Sequence, residues 1–395
     1  MEIHPSHRAQ SVKPSPTMAV SAKAAELRAA GRDILSLAAG EPDFDTPEHA
    51  KAAAIDAINR GLTKYTAVDG TPELKAAIID KFKRDNALHY KPEEILVSCG
   101  CKHSLYNLMQ AVLDPGDEVI IPAPYWVSYP DMARLAGAEP VIIRTTIDNR
   151  FKISADQLRG AISDKTRMFV LNSPSNPTGA SYSAGELLEL AAVLLDHPEI
   201  AIASDDIYEH ILWGPEPFSN IVNVCPELGA RTVVVNGVSK AYAMTGWRIG
   251  YAAGSRDIIS AMKKIQSQST SNPTSIAQIA ATAALNGDQS LLGENAATYR
   301  ARHDLVLHAL DEIDGIATTP SDGTFYTFPD ASELIKSRSD IDNDIELADL
   351  LLDRASVAVV PGTAFGAPGC LRLSYAASKD TLDRALAAIR EVLSA

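Results

Sequence analysis

Cysteine is scarce: four in 395 residues, at positions 99, 101, 225 and 370, with no spacing that suggests a disulfide framework. Cys99-Gly-Cys101 is too tight for the usual zinc or redox pair. With nine histidines scattered along the chain, metal chemistry has little support, and no metal site is expected. Basic charge is also short. Lys and Arg total 36 against 50 Asp and Glu, a net charge of −14, which argues against nucleic acid or an anionic membrane as partner. No 18-residue apolar run occurs, so no membrane span is expected. The opening MEIHPSHRAQSVKPSP lacks the apolar core of a signal peptide, and cytoplasm is the expected location. Neither a G-x-G-x-x-G nor a G-x-x-x-x-G-K-[ST] motif is present, which removes the common dinucleotide and P-loop signatures.

What is present is an alternating pattern. A chain with 46% hydrophobic and 22% charged residues is globular in composition and long enough for more than one domain. Continuous apolar runs at 95–98, 118–121, 141–143, 168–171, 201–204 and 232–235 read as strands covered on both faces. Segments with helical spacing, such as Leu105, Leu108, Met109 and Val112, lie between them. The alternation predicts an α/β layered domain with a largely parallel sheet. The C-terminal part mixes predicted helices (299–313, 381–393) with isolated strands (324–328, 357–360, 371–374), the pattern of a smaller α+β domain.

Open α/β sheets bind ligands beyond the carboxyl ends of their strands. There the sequence offers Cys99-Gly-Cys-Lys102 opening a helix, the loop Asn172 to Gly179, Asp205 three residues before Tyr208, and Lys240. A helix N-terminus makes an anion cradle. A cradle, an acid, a phenol and a lysine together suit pyridoxal phosphate: its aldehyde needs an amine, its ring nitrogen a carboxylate, and its phosphate cations and N–H donors.

The stretches KPSPT, LAAGEPDFDTP, TKYTAVDG, PYWVSYP, NSPSNPTG, SDDIYEH, SKAYAMTGWRIGY, VVPGTAFG and LRLSYA occur in the order found in class I aminotransferases. The chain resembles that family over roughly residues 13–393, closest to its bacterial aspartate/prephenate branch. The resemblance implies pyridoxal-phosphate fold type I: a large domain (46–295) with a mostly parallel seven-stranded sheet, and a small α+β domain from 1–45 and 296–395. It implies pyridoxal 5′-phosphate as cofactor, a ping-pong mechanism, and a homodimer with shared active sites.

By that resemblance Lys240 would form the Schiff base and carry the proton. Asp205 would pair with the ring nitrogen, Tyr208 and Asn176 would bond the phenolic oxygen, and Trp126 would stack on the ring. Gly100, Cys101, Lys102 and Arg248 would hold the phosphate, with Tyr65 arriving from the second subunit. Arg372 would fork the α-carboxylate, with Gly40, Trp126 and Asn176 lining the same site. Asp206 competes with Asp205, but the Asp-x-x-Tyr spacing selects Asp205 and leaves Asp206 as a solvated or capping neighbour. Pro124 and Pro177 would follow cis bonds.

Amino acids and 2-oxo acids are the expected partners, with glutamate and 2-oxoglutarate the shared pair. Lys102 would also meet the distal carboxylate of aspartate, and Lys13 the second carboxylate of prephenate. The alternatives are an aromatic or broad-specificity aminotransferase and a pyridoxal-phosphate-dependent β-lyase. A fold-type I regulator would be expected to lack the lysine or the carboxylate fork; this chain has both.

Overall fold

The structure is a computed structural model that describes residues 4–394. The six apolar runs all lie in one seven-stranded sheet, as β1 (Ile95–Ser98), β2 (Glu118–Ala123), β3 (Glu139–Arg144), β4 (Thr166–Asn172), β5 (Ala201–Asp205) and β6 (Thr232–Gly237). The seventh strand, β7 (Gly250–Ala253), has only small residues and one tyrosine, so no apolar run announces it. The spatial order is β1-β7-β6-β5-β4-β2-β3. Strands β2 to β6 run parallel, and β7 is antiparallel to both of its neighbours.

Burial follows from position in the sheet. Every residue of β1, β5, β6 and β7 is buried, the result expected where helices cover both faces. At the edge, β3 exposes Glu139 and Arg144 at its two ends, and Pro140 sits where a missing N–H costs least. Among the described residues, no helix is long and apolar enough to cross a membrane.

The two expected C-terminal helices are Ser290–Asp311, which starts well before the expected boundary, and Lys379–Leu393; shorter helices, Ser332–Ser337 and Asp344–Leu350, lie between them. The expected strand at 324–328 is reduced to Tyr326–Thr327, and that at 357–360 is split into two short pieces. Tyr326–Thr327 pairs with Leu371–Ser374, which pairs in turn with Val360–Pro361. Leu35–Ser36 runs parallel to Val357–Ala358, so the N-terminal segment is stitched to the C-terminal part. One hydrophobic cluster gathers the C-terminal residues Leu310, Phe325, Leu347, Leu373 and Leu386 around Ile207, Tyr208 and Ile211. The chain just beyond β5 is therefore packed into the C-terminal core while β5 itself belongs to the large sheet.

Helix α1 (Cys101–Val112) begins against β7 and β6 at unusually short range. A Cβ on Gly250 would lie 2.2 Å from the Cys101 nitrogen and 2.4 Å from the Gly100 carbonyl carbon, both backbone atoms that cannot swing aside. Gly100 caps the helix at φ +87°, a conformation other L-residues rarely adopt. The bonds Ala123–Pro124 and Asn176–Pro177 are cis, as expected; Ser173–Pro174, which was not anticipated, is cis too.

Replacing Gly250 by alanine is expected to cost about 3 kcal/mol of stability through this collision. Gly246→Ala, where nothing lies within 4 Å, serves as the control and should change the denaturation midpoint little. Chemical denaturation of both cofactor-free variants checks the contrast.

Candidate active site

The ends of β4, β5 and β6 open into a cavity of about 570 Å³ that also receives Arg372 and the N-terminus of α1. Asp205, the last residue of β5, is 4% exposed. Its Oδ2 accepts a 2.6 Å bond from the Tyr129 hydroxyl, and its Oδ1 a longer one from the Ile207 N–H. Burial dominates its ionisation and raises its pKa to about 6, against the pull of Tyr129. Tyr208 is also buried, its hydroxyl 3.0 Å from that of Tyr326, and burial holds its pKa well above the ordinary phenol value.

Lys240 follows β6. It faces the cavity and keeps some accessible surface there. Its Nζ donates to the Gly40 carbonyl at 2.5 Å and lies 6.0 Å from the centre of the Tyr208 ring. Burial lowers its pKa to about 8, which leaves a substantial neutral fraction near neutrality.

At the start of α1, the Cys101 Sγ donates to the Asn236 carbonyl at 2.9 Å, tying the helix to β6. Lys102 Nζ stands 4.8 Å over the Trp126 ring, and its pKa is lowered by burial and then by Arg248. Arg248 adopts φ +59° and, among the described residues, donates hydrogen bonds only to the carbonyls of Thr245 and Cys99. Two cations and a helix N-terminus thus converge with no carboxylate bonded to either cation among the described residues, an arrangement that suits an anion.

Arg372 is 2% exposed. Nη1 donates to Asn176 Oδ1 at 3.0 Å and Nη2 to the Ala38 carbonyl at 2.8 Å, while Nε has no partner. Tyr326 and Phe365 lie beside the guanidinium at 4.4 and 5.0 Å. A buried guanidinium with an unpaired N–H and no bonded carboxylate is arranged to take one from a ligand. Because Asn176 Oδ1 is occupied and its backbone N–H is bonded to Asn172 Oδ1 at 2.9 Å, the Asn176 amide nitrogen is the group left to donate into the cavity.

Gly40, Cys101, Lys102, Trp126, Asn176, Asp205, Tyr208, Lys240, Arg248 and Arg372 all line this cavity, and Gly100 caps the helix at its wall. Lys13 and Tyr65, singled out with them in the sequence, lie elsewhere. Lys13 lies in an adjoining groove of about 460 Å³ that shares Lys102 and Arg248 with the main cavity. Tyr65 is 92% exposed and is not among the lining residues. Asp206 departs from the expectation of a solvated neighbour. It is 3% exposed, bonded to Ser204 and Asn220, and pushed up to about 7 by burial.

Sequence reasoning missed Tyr129 and Tyr326, which lean on Asp205, Tyr208 and Arg372 from distant segments. Only the four-residue step from Tyr125 to Tyr129 within PYWVSYP hinted at the first.

The pattern of the family described as aminotransferase class I and II matches residues 32–389. The chain belongs to this family. It is 57% identical to an aspartate/prephenate aminotransferase of Nitrosomonas europaea, over 98% of this chain and 99% of the relative. It is 49% identical to an aspartate aminotransferase of Bacillus subtilis, over 97% of each. Among solved structures, the Thermus thermophilus aspartate aminotransferase with maleate superposes with a TM-score of 0.93 at 45% identity, covering 99% of this chain and 100% of that one. The Rhizobium meliloti enzyme reaches 0.96 at 48% identity, covering 100% and 99%. This aminotransferase therefore has the family's fold, and its cavity is the place to look for its chemistry.

In the cofactor-free enzyme, capture of an aldehyde by Lys240 should rise with pH through a midpoint near 8, because the neutral amine is the nucleophile and burial favours it. An exposed lysine would give a midpoint above 10. Borohydride trapping followed by peptide mapping reads the profile. Tyr129→Phe should raise the pKa of Asp205 further above about 6, since it removes a bond to the charged form. Isotope-edited infrared titration of the aspartate carboxylates measures that shift.

Proposed function

We propose that this aminotransferase moves an amino group between L-aspartate and 2-oxoglutarate, with pyridoxal 5′-phosphate as cofactor and prephenate as a further amino acceptor. The observation that carries the reading is the union, in one cavity, of an amine of lowered pKa, a buried carboxylate and a buried guanidinium with an unpaired N–H. When bound, pyridoxal phosphate supplies an aldehyde for the amino group and a ring that accepts the electron pair left at the substrate Cα.

The chain's own residues do the rest. The N–H groups that open α1, with Lys102 and Arg248, would hold the phosphate. Asp205, kept in orientation by Tyr129, would pair with the ring nitrogen and keep its proton in place. Tyr208 and the free amide nitrogen of Asn176 would donate to the phenolic oxygen, and Trp126 would cover the ring. Arg372 grips the substrate α-carboxylate, which orients the Cα–H bond toward Lys240. Lys240 Nζ, whose lowered pKa gives it a neutral fraction that an exposed lysine lacks, would take the substrate Cα proton and return it. The buried ring of Tyr326 keeps water from Arg372.

Lys102 stands between the cradle and the groove that holds Lys13, and it is the cation for the distal carboxylate of aspartate. The groove carries the reading of prephenate: it shares Lys102 and Arg248 with the cavity wall and would present Lys13 to a second, ring-borne carboxylate. Tyr65 completes the cradle of a second copy of the chain, in a homodimer. Exposed Ile55, Ile58 and Leu62 near Tyr65 supply apolar surface for that contact. Residues 46–295 would form a large domain and residues 1–45 with 296–395 a small one, with the cleft between them.

A panel of amino donors with 2-oxoglutarate should place aspartate first; inactivity toward aspartate would refute the substrate assignment. Lys240→Ala should lower turnover by about a thousandfold or more. Arg372→Lys should raise KM for aspartate by about tenfold, since an ammonium cannot reproduce the fork. Lys13→Ala should slow transfer to prephenate and spare aspartate. Equal loss on both substrates would exclude a selective contact.

A further inference from the structure

The loop 63–70 between two helices contains no helix or strand, yet buried groups fix it at several points. Gln266, on helix α2 (Arg256–Ser269), has no exposed surface and a fully used amide. Its Oε1 accepts from Ser98 Oγ at 2.7 Å and from Asn107 Nδ2 at 3.0 Å. Its Nε2 donates to the carbonyls of Val68 at 2.7 Å and Val97 at 2.8 Å. Gln278, equally buried on helix α3 (Ser275–Asn286), donates to Thr66 Oγ1 at 2.9 Å and accepts from the Thr71 N–H at 2.8 Å. Asp69 adds ion pairs to Lys75 at 2.7 Å and Lys263 at 3.0 Å. Gly70 sits at φ +102°, where a Cβ would fall 2.5 Å from Val97 Cγ2.

All this order is spent on a loop whose Tyr65 side chain is 92% exposed. A loop that served only its own subunit would gain little from such restraint, because ordering costs conformational entropy. The restraint makes sense if Tyr65 must arrive in position on another molecule. The same amide also holds Val97 and Ser98, at the end of the strand that leads into Gly100 and the anion cradle.

We propose that Gln266 is a positioning residue that sets two halves of the phosphate site at once: the cradle of its own subunit and the Tyr65 arm it lends to the second copy. This rests on the reading of Tyr65 given above and deepens it. Each site would then depend on Gln266 of both subunits, through β1 in one and through the loop in the other.

Mixed dimers with a single Lys240 separate the two roles. In the first, a native chain is paired with a chain carrying Gln266→Met and Lys240→Ala, so the working site has its own native cradle and an altered arm. In the second, a Gln266→Met chain is paired with a Lys240→Ala chain, so the cradle is altered and the arm native. The reference pairs a native chain with Lys240→Ala. The readout is the pyridoxal phosphate concentration giving half-maximal borohydride-fixed loading, alongside KM for aspartate. Both altered pairs should need about fivefold more cofactor than the reference, as expected when a buried hydrogen-bond hub is lost. A purely structural role would leave the first pair at the reference value, and that result overturns the inference.

A partner carrying Tyr65→Phe with Lys240→Ala distinguishes the causes of failure. If it weakens loading and the first pair does not, Gln266 alone has been misread. If neither weakens loading, or if the chain sediments as a monomer, the reading of Tyr65 falls and the inference with it. Should the Gln266→Met chain not assemble, Gln266→Asn keeps the amide but not its reach and takes its place in the same design.

Discussion

A guanidinium buried without a bonded carboxylate is the constraint on which this site turns. Taking a charge out of water is expensive, and a protein ordinarily pairs it. Arg372 is instead held by one amide oxygen and one backbone carbonyl, beside two aromatic rings, with Nε left over among the described residues. Both of its acceptors are neutral, so the guanidinium keeps its charge available for a ligand. Lys240 obeys the same logic at lower cost. Its amine bonds a carbonyl, and burial shifts it toward the neutral form, so reactivity and desolvation have one cause.

The rest of the fold supplies the rigidity this requires. The Asp205 carboxylate is fixed by Tyr129 on one side and by the chain turning out of β5 on the other. The start of α1 is pressed against β7 so closely that only glycine fits at position 250. A second buried network lies just behind, where Lys81 pairs with Glu209, which also accepts from Asn86 at 2.6 Å and from Asn236 at 2.7 Å. It joins the chain after Tyr208 to the end of β6, fixing from beneath two of the strand ends that carry the chemistry. Breaking one member of so buried a pair would strand the other, which makes the region resistant to small rearrangement.

How much of this was legible in the residues depended on distance along the chain. The six apolar runs located six strands, and the strand ends located Asp205 and Lys240, because a ligand in an open α/β sheet has to sit there. Strand β7 escaped because glycine, tyrosine and two alanines make no apolar run, although the sheet needs their small size beside α1. Asp206 was misjudged because its burial is set by Asn220 and Ser204 and by packing over the turn, none of which its own neighbourhood reveals. Lys13 was grouped with the substrate residues on its motif alone, and in space it occupies the adjoining groove.

The sequence by itself determined the layered α/β class, the aminotransferase family and the residue types at each strand end, since these follow from local periodicity and from motifs read in order. Tertiary structure alone decided which groups meet: Arg372 and Asn176 are 196 residues apart, and Tyr129 reaches Asp205 across 76. It also decided their ionisation, because desolvation depends on everything packed around a group and not on the residues beside it in the chain.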